Sequence, residues 1–428
     1  MIRAARRIVE KLKQHGHKAY FAGGWIRDSI LNEKSKDIDI ATSAKPFEVR
    51  SIFPNSLDIG AQFGVVQVRM YGRTYEVTTF RSDNAYYDGR HPVDVSFSTP
   101  KQDALRRDFT INGLFFDPGT NRVIDYVNGE ADIKNCRIRT IGNPYKRFHE
   151  DRLRMLRAVR FACRLKFKIT AKTWKAITEL APLISDVSWE RIRDELSEIL
   201  TGPAPGAGLK MLHSSGLLSH ILPEVEELHG RLFQPGYSDD LLTHTIKTLD
   251  MLYKPSIPLA FGALLHEIGT SSFDKDINAD LLEERSKAVK KVCRRLRMSR
   301  KETERISSLV ESQAFLAQAE KIRESDLKRF MRKQYFDEYL KLYRVHAVSL
   351  GIPIDTYHYW RRKHKEFVHE LTQKPLVNGK DLISLGYQPG PIFQKILRSI
   401  EDLQLEGTLK THKKALRYIR QYFPVTRG

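Results

Sequence analysis

Cysteine is scarce in this chain, and the few cysteines form no pattern. The 428 residues include three of them, which lie far apart at Cys136, Cys163 and Cys293. Their spacing fits neither a disulfide framework nor a zinc motif, so we expect reduced, structural cysteines. No apolar run reaches the length of a membrane span, and the first residues lead into a charged helical pattern rather than the apolar segment of a secretory leader. We therefore expect a cytoplasmic protein without a membrane partner.

Acidic residues are outnumbered, and the imbalance is concentrated in one part of the chain. The formal net charge is +20, while 41% of the residues are hydrophobic and 29% are charged, as in soluble globular proteins. Residues 281–428 carry 32 lysines and arginines against 17 acidic residues. This excess predicts a polyanion partner, although a solvated basic surface is the alternative.

The periodicity of hydrophobic residues predicts two kinds of architecture. Strand and helix patterns alternate over about the first 140 residues, with a helix at 3–16 and a hairpin whose turn falls at Tyr71 and Gly72. A helix at 43–53 is expected to be capped by Thr42 or Ser43. After about residue 145, helical periodicity dominates. Glycine- and proline-rich breaks near residues 142, 202 and 374 indicate soft domain boundaries.

A glycine pair near the N-terminus predicts an anion-binding turn. Gly23 and Gly24 follow a short strand and precede a helical pattern, and glycine lets the backbone approach a ligand closely. The amides at the start of the helix would face the anion, with Arg27 as a charged donor nearby. An ordinary turn is the alternative.

Two acidic residues follow the glycine pair at a strand spacing. Asp37 and Asp39 alternate with Ile38 and Ile40, which places both carboxylates on one face of a strand. Hard oxygen ligands suit Mg²⁺ with its bound triphosphate. The common alternative for such a pair is a solvated strand end. Glu76, on an adjacent predicted strand, is left out of the predicted site.

Two later motifs, at residues 106–113 and 150–161, complete a recognisable series. With the glycine turn and the acidic pair, they resemble the class II nucleotidyltransferases, the family of CCA-adding enzymes and bacterial poly(A) polymerases. The resemblance covers most of the chain and is strongest over residues 20–200. It implies an α+β fold, in which a polymerase-β-like head with a small mixed sheet precedes an all-helical neck, body and tail.

The resemblance also implies domain bounds and an activity. The head would span residues 1–141, the neck with a base-recognition helix 142–205, the body 206–373 and the RNA-binding tail 374–428. The expected reaction is template-independent addition of C, C and A to the 3′ end of tRNA from CTP and ATP, with release of pyrophosphate and Mg²⁺ as cofactor. Alternatives of the same class are a poly(A) polymerase or an A-adding enzyme. The oligomeric state, monomer or dimer, stays open.

Roles for single residues follow from the same resemblance. Asp37 and Asp39 would be the catalytic metal ligands, and Gly24 and Arg27 would bind the nucleotide. Arg107 resembles the family arginine that contacts the nucleotide, and the neighbouring Asp108 would orient it.

The motif at residues 150–161 offers a way to choose a base without a nucleic-acid template. We expect Asp151, Arg154 and Arg157 to follow along one face of a single helix. A carboxylate accepts from the exocyclic amine of cytosine or adenine, and a guanidinium donates to the adjacent ring acceptor. The resemblance assigns this role to Asp151 and Arg154, with phosphate or ribose contacts for Arg157 and Arg160.

Two segments bear on the choice between family members. The polar, aromatic stretch at 80–92 has the length of the loop that helps CCA-adding relatives change from CTP to ATP. Residues 60–68 resemble the CCA-adding version of that strand rather than the more basic version of poly(A) polymerases.

The body and the tail carry two further signals. His244, His266 and Glu267 resemble a metal-dependent HD phosphohydrolase site, with Glu267 in place of the usual aspartate. We expect core histidines of a degenerate domain, and the alternative is an HD-type hydrolase. In the tail, glycines and four basic residues are expected to contact RNA phosphates: Lys413, Lys414, Arg417 and Arg420.

Overall fold

The computed structural model describes residues 1–35, 37–60, 64–83, 95–233, 237–269 and 279–424. The chain divides into two compact units. The first unit contains Met1–Arg231 with Val292–Met298, and the second contains Leu232–Lys291 with Ser299–Gly428. Most of the predicted 80–92 loop and part of the 60–68 segment lie outside the described residues. In the parts that are described, no helix combines the length and the apolar character that crossing a membrane requires.

A seven-stranded mixed sheet organises the N-terminal part of the first unit. The strands of the unit are β1 Ala19–Ala22, β2 Asp39–Thr42, β3 Ser56–Gly60, β4 Val65–Met70, β5 Arg73–Thr79, β6 Arg81–Asp83, β7 Val95–Phe97, β8 Leu114–Asp117, β9 Arg122–Asp125, β10 Arg137–Ile138 and β11 Lys168–Ile169. The order in the large sheet is β3-β4-β5-β2-β1-β8-β9. Strands β2 and β5 run parallel, and the other neighbours in this sheet run antiparallel.

Helices cover this sheet and form the rest of the first unit. They are α1 Ile2–Gln14, α2 Gly24–Ile30, α3 Pro46–Ile52, α4 Pro100–Arg106, α5 Gly129–Lys134, α6 Pro144–Glu150, α7 Arg154–Leu165, α8 Ala171–Leu180, α9 Trp189–Leu200, α10 Pro205–Ser214, α11 Leu217–Ile221 and α12 Pro223–Glu226. The amphipathic helix α1 buries Ile8 and Leu12 completely. The predicted α+β class is confirmed, with the strands concentrated in the N-terminal part.

Local sequence signals placed some of these elements well and others poorly. The predicted hairpin is confirmed, because β4 and β5 pair through a turn in which Tyr71 and Gly72 both have positive φ. The predicted cap of the next helix is wrong. Helix α3 begins at Pro46 after Lys45, since proline favours the first helical position. The Thr42 hydroxyl instead donates to the carbonyl of Lys18 at 2.8 Å.

The second unit is helical. Its elements are α13 Leu241–Asp250, α14 Ile257–Leu265, α15 Ala279–Arg295, whose last residues belong to the first unit, α16 Arg300–Ala317, α17 Glu324–Met331, α18 Phe336–Ser349, α19 Asp355–Glu366, α20 Val368–Leu371, α21 Gly379–Ser384, α22 Pro391–Leu405 and α23 His412–Tyr422. The last three helices share a core that includes Leu382, Ile396 and Ile419. The four predicted domains remain a prediction beside these two units.

Candidate active site

The glycine turn connects β1 to α2 and lies against two predicted site residues. Gly23 has a φ of +71°, which favours glycine. A Cβ at Gly23 would lie 3.3 Å from Nη1 of Arg107 and 3.6 Å from Oδ2 of Asp39. The turn therefore brings its backbone close to both a guanidinium and a carboxylate, with little space for a side chain between them.

The acidic pair has the alternation predicted from its spacing. Asp37 and Asp39 are exposed, whereas Ile38 and Ile40 are buried in the head. The pairing of Ile40 with Val77 between β2 and β5 places Asp39 beside Glu76, which is also exposed. Sequence reasoning considered Glu76 and left it out, since one exposed acid on a strand carries little information. The register of the parallel strands provides the missing signal.

The electrostatics of Asp39 fit a cation site. Loss of hydration on its protein-facing side raises the pKa of Asp39, Glu76 and Asp37 raise it further, and Arg107 lowers it. A divalent cation would relieve the repulsion among these carboxylates. Within the described residues, the three acids do not bring three ligand oxygens within 4.8 Å of one another. This arrangement fits Mg²⁺, which binds one or two carboxylates together with substrate phosphates rather than an all-protein cage.

Arg107 is positioned by a residue other than the one predicted. Its Nε and Nη2 donate to Oδ2 of Asp103 at 3.3 and 3.1 Å, and its Nη1 donates to the carbonyl of Asn112 at 3.0 Å. Asp103 is buried; burial raises its pKa, but Arg107 and Arg106 lower it to a greater total extent. The predicted orientation of Arg107 by Asp108 is wrong. Asp108 instead bonds Arg157 and Asn112, whereas a spacing of four brings Asp103 to Arg107 across the end of α4.

Arg27 points into the protein. It is 3% exposed, and its Nε and Nη2 donate to Oδ1 of Asp28 at 2.9 and 2.6 Å. Its Nη1 donates to the side-chain oxygen of Asn112 at 2.7 Å. Burial lowers the pKa of Arg27, and Asp28 opposes that shift. A Cβ at Gly24 would lie 3.3 Å from Nη2 of Arg27, so the second glycine gives the buried guanidinium its space.

Asp108 joins the head to α7. Its Oδ2 accepts from Nε and Nη2 of Arg157 at 2.9 and 2.7 Å, and its Oδ1 accepts from Asn112 at 3.1 Å. Burial raises the pKa of Asp108, but Arg157 and the hydrogen bonds outweigh burial and lower it to about 2. Arg160 donates to Oε2 of Glu195 on α9 at 2.6 Å. Asp108 and Glu195 thus hold the two arginines for which phosphate or ribose contacts were predicted.

The predicted single helix at residues 150–160 is interrupted. Asp151 follows the end of α6, and α7 begins at Arg154. The Oδ1 of Asp151 accepts from the backbone N–H of Leu153 at 3.1 Å, and its Oδ2 accepts from Arg191 of α9 at 2.8 Å. An aspartate often accepts from the backbone N–H two residues further on and so favours a turn, which means that Asp151 itself could have signalled the break.

Arg154 lies at the start of α7 and is 8% exposed. Its Nη1 donates to Oε2 of Glu150 at 2.9 Å and to the carbonyl of Arg147 at 3.1 Å, and its Nη2 donates to the carbonyl of Arg106 at 3.3 Å. Glu150, which sequence reasoning did not single out, lies four residues before Arg154 and holds it in place. The structure therefore gives Arg154 a fixed orientation next to the helix break at Asp151.

The second unit contains the two remaining predicted features, the basic residues of the tail and the core histidines. The four tail residues predicted to contact RNA are all exposed on α23, opposite the buried Ala415 and Ile419. His244 and His266 are buried, as expected for core histidines, and they pack with a third histidine, His346. Sequence reasoning missed His346, because it lies far along the chain in an ordinary helical pattern.

Family models match three segments of the chain. The model of the Poly A polymerase head domain matches residues 19–139, and that of the "Probable RNA and SrmB- binding site of polymerase A" matches residues 166–228. A model of tRNA nucleotidyltransferase domain 2 matches residues 279–419. The matches therefore include the acidic pair, the helices after α7 and most of the second unit.

Several known proteins resemble the chain over its length. A CCA-adding enzyme of Levilactobacillus brevis is 34% identical over 421 residues, which are 96% of each chain. The crystal structure of the Bacillus stearothermophilus CCA-adding enzyme in complex with CTP has a TM-score of 0.77 at 28% identity and covers 98% of this chain and 97% of its own. The Thermotoga maritima CCA-adding enzyme complexed with tRNA_CCA has a TM-score of 0.62 over 97% and 94% of the two chains, and its 20% identity supports the fold alone. This chain is a nucleotidyltransferase that belongs to the family of CCA-adding enzymes.

Proposed function

We propose that this protein adds C, C and A to the 3′ end of tRNA from CTP and ATP and releases pyrophosphate. The observation that carries the proposal is the arrangement around Gly23, where a carboxylate that belongs to an exposed acidic pair and a positioned arginine lie beside the same turn. An attacking hydroxyl and a nucleoside triphosphate would meet there. Membership in the family supplies the reaction, and the CTP complex of one relative supports the nucleotide.

Asp37 and Asp39 hold Mg²⁺ in this proposal, and Glu76 adds negative charge beside them. The reaction is a two-metal nucleotidyl transfer in this proposal: one bound cation would activate the 3′-hydroxyl, and a second would neutralise charge on the triphosphate and the leaving group. Asp39 is the first residue of β2 and Asp37 lies two residues before it, so the sheet fixes the backbone of Asp39 before substrate binds. Arg107 is held by Asp103 and lies next to the turn, and in this proposal its guanidinium contacts the triphosphate.

Asp151 and Arg154 select the base in this proposal. A carboxylate that accepts and a guanidinium that donates match the Watson–Crick edges of cytosine and adenine. Guanine and uracil would leave buried polar groups without partners, which is a costly mismatch. Arg191 fixes Asp151 and Glu150 fixes Arg154, and such rigidity supports discrimination between bases of similar size.

In this proposal the exposed basic face of α23 binds the body of the tRNA. The proposed domains are a head at residues 1–141, a neck at 142–205, a body at 206–373 and a tail at 374–428. A cytoplasmic location fits a tRNA substrate. These assignments follow from the motif series and from the exposed lysines and arginines of the tail.

The test is nucleotide addition to a tRNA that lacks its three terminal nucleotides, with CTP alone, ATP alone and both. We expect two cytidines from CTP and a terminal adenosine only when both nucleotides are present. Asp39→Asn should abolish incorporation without weakening tRNA binding. Asp117→Asn is the matched control, since Asp117 is a carboxylate of the same sheet that bonds Lys13 instead of facing the turn.

Two results would redirect the assignment. Long adenosine tracts from ATP alone would identify a poly(A) polymerase. A single adenosine, added only to tRNA that already ends in CC, would identify an A-adding enzyme. Incorporation by Asp39→Asn at the rate of the control would contradict the metal assignment.

A further inference from the structure

Four side chains of the second unit, three of them buried and one half-buried, converge on one point, far along the chain from the acidic pair. We call them the histidine cluster: His244 of α13, His266 and Glu267 at the end of α14, and His346 of α18. One ligand atom from each lies within 4.8 Å of all the others. The sequence predicted that the first two histidines are packing residues of the core. The third histidine completes a set of four groups that can bind a metal ion.

The distances within the histidine cluster match the edges of a tetrahedron. Nε2 of His244 lies 2.9 Å from Nε2 of His266 and 3.1 Å from Nδ1 of His346. Oε1 of Glu267 lies 3.5, 3.4 and 3.4 Å from the nitrogens of His244, His266 and His346. Ligands at bond lengths of about 2.0–2.1 Å from a tetrahedral cation are separated by about 3.3 Å. The observed separations lie around that value.

The hydrogen bonds behind the rings turn lone pairs toward the centre. Nδ1 of His266 lies 2.7 Å from the carbonyl oxygen of Ala263, which can only accept, so this nitrogen carries the proton and Nε2 is left with a lone pair. The hydroxyl of Ser349 lies 2.8 Å from the carbonyl oxygen of His346 and 2.9 Å from Nδ1 of His244; when it donates to the carbonyl, Nδ1 of His244 donates to the hydroxyl oxygen. Such partners fix imidazole tautomers behind metal ions.

The acceptor atoms of the histidine cluster face a common centre. When Nδ1 carries the proton in both His244 and His266, two nitrogen lone pairs face each other at 2.9 Å beside the buried carboxylate of Glu267. Neutral imidazoles are the form that binds metal. A cation at the centre would accept lone pairs from all four groups at once.

We propose that the histidine cluster binds one Zn²⁺-class cation in a closed, structural site that joins α13, α14 and α18. Three nitrogens and one carboxylate oxygen are ligands that Zn²⁺ prefers, whereas Mg²⁺ prefers oxygen. Four protein ligands complete a tetrahedron and leave no position for a catalytic water, as in structural zinc sites. The site therefore stabilises the second unit and does not hydrolyse phosphate esters.

The first test measures metal in the whole, unsubstituted chain. Protein stripped with a chelator is dialysed against Zn²⁺ or Co²⁺ with excess Mg²⁺, which occupies oxygen-only sites, and its metal content and melting curve are recorded. We expect one Zn²⁺ per chain, the strong visible absorption of tetrahedral Co²⁺, and a rise of about 5–10 °C in the melting temperature of the second unit at a hundredfold excess over Kd. Failure of the stripped chain to take up Zn²⁺, with no thermal shift, would overturn the proposal. The four side chains would then be held together by a proton shared among them.

Variants locate the bound metal. His346→Asn and Glu267→Gln should lose the bound Zn²⁺ and the Co²⁺ absorption, and His346 is the more exposed ligand and the safer one to replace. The matched control is His213→Asn, which removes a histidine that contacts Glu226 at 2.9 Å outside the histidine cluster. Equal metal content in the control and in folded cluster variants would refute the site. Hydrolysis of bis(p-nitrophenyl) phosphate by the Zn²⁺-loaded chain, lost in Glu267→Gln, would refute its structural role.

Discussion

Replacement of Asp108 by asparagine removes the charge that holds α7 to the head. Asparagine keeps the shape of the side chain, but an amide cannot balance the guanidinium of Arg157, which lies 2.7 Å from Oδ2. The substitution therefore leaves a partly exposed guanidinium that faces a neutral group and keeps Glu195, at 3.7 Å, as its remaining carboxylate partner. A structural and a catalytic consequence follow, and both can be measured.

The pKa of Asp108 gives the size of the structural effect. Its value falls from 3.8 to about 2 in the folded protein, and a shift of this size corresponds to about 2 kcal/mol of stability at neutral pH. Because the folded pKa lies below the unfolded one, the contribution is complete well above pH 4 and disappears as the pH falls toward 2. About half of it is lost at pH 3. The guanidinium that the substitution leaves without its nearest carboxylate adds to the cost, for a total of about 2–4 kcal/mol.

The assay is urea unfolding at pH 7, 5 and 3, followed by tryptophan fluorescence. Three of the four tryptophans, Trp25, Trp174 and Trp189, belong to the first unit. We expect Asp108→Asn to be less stable than the wild type by about 2–4 kcal/mol at pH 7, and we expect the difference to narrow by about 1 kcal/mol at pH 3. A difference that stays constant with pH would refute the ionised pair, because only a titrating carboxylate makes it change.

The catalytic consequence separates a positioning role from general destabilisation. Asp132→Asn is the matched control, because Asp132 is a buried carboxylate that bonds Arg139, an arginine without a predicted substrate contact. Both variants should lose stability. Only Asp108→Asn should lower kcat/KM for CTP, by about 10²-fold, since a misplaced Arg157 no longer meets the nucleotide. Equal losses in the two variants would show that Asp108 acts through stability alone.

Three further outcomes are expected. Glu76→Gln should lower the pKa of Asp39, because Glu76 raises it, and should increase the Mg²⁺ concentration needed for half-maximal incorporation; an unchanged Mg²⁺ dependence would separate Glu76 from the metal site. Arg154→Ala should reduce discrimination between CTP and UTP by about 10–100-fold while triphosphate binding changes less, and preserved discrimination would remove its base-reading role. Lys413→Ala with Arg417→Ala should reduce the slope of log affinity against log salt for tRNA by about 0.7–0.9 per lost phosphate contact, and an unchanged slope would place α23 away from the RNA.

Patterns that depend on near neighbours could be predicted from the sequence. The hairpin at Tyr71 and Gly72 is specified by two residues that accept positive φ, and the outward face of Asp37 and Asp39 follows from a period of two. Each of these features is decided within a few residues of backbone. The family resemblance allowed predictions beyond near neighbours, because a series of four motifs in order identified the nucleotidyltransferase class without any knowledge of the packing.

Pairings between distant residues could not be predicted in the same way. Asp108 and Arg157 are 49 residues apart, and His346 lies 79 residues beyond Glu267. Nothing in the local sequence of either pair distinguishes it from ordinary charged or helical residues, because the contact is produced by how the helices pack. The wrong partner for Arg107 has the same origin, since adjacency in sequence was taken for adjacency in space.

Exposure sorts the predicted nucleotide-binding arginines into two groups with different consequences. The side chains of Arg107 and Arg157 are 19% and 32% exposed, and each forms an ion pair with a buried carboxylate that holds it in place. Arg27, at 3%, and Arg160, at 12%, are held inside the first unit and flank the ring of Phe161. A guanidinium that is already covered must leave some of its partners to meet a phosphate, and Arg154, at 9%, must do the same to reach a base, whereas a partly exposed and braced one can bind without reorganisation. We therefore propose that direct contacts with the triphosphate fall to Arg107 and Arg157, and that the two covered arginines act by keeping the helix α7 in place.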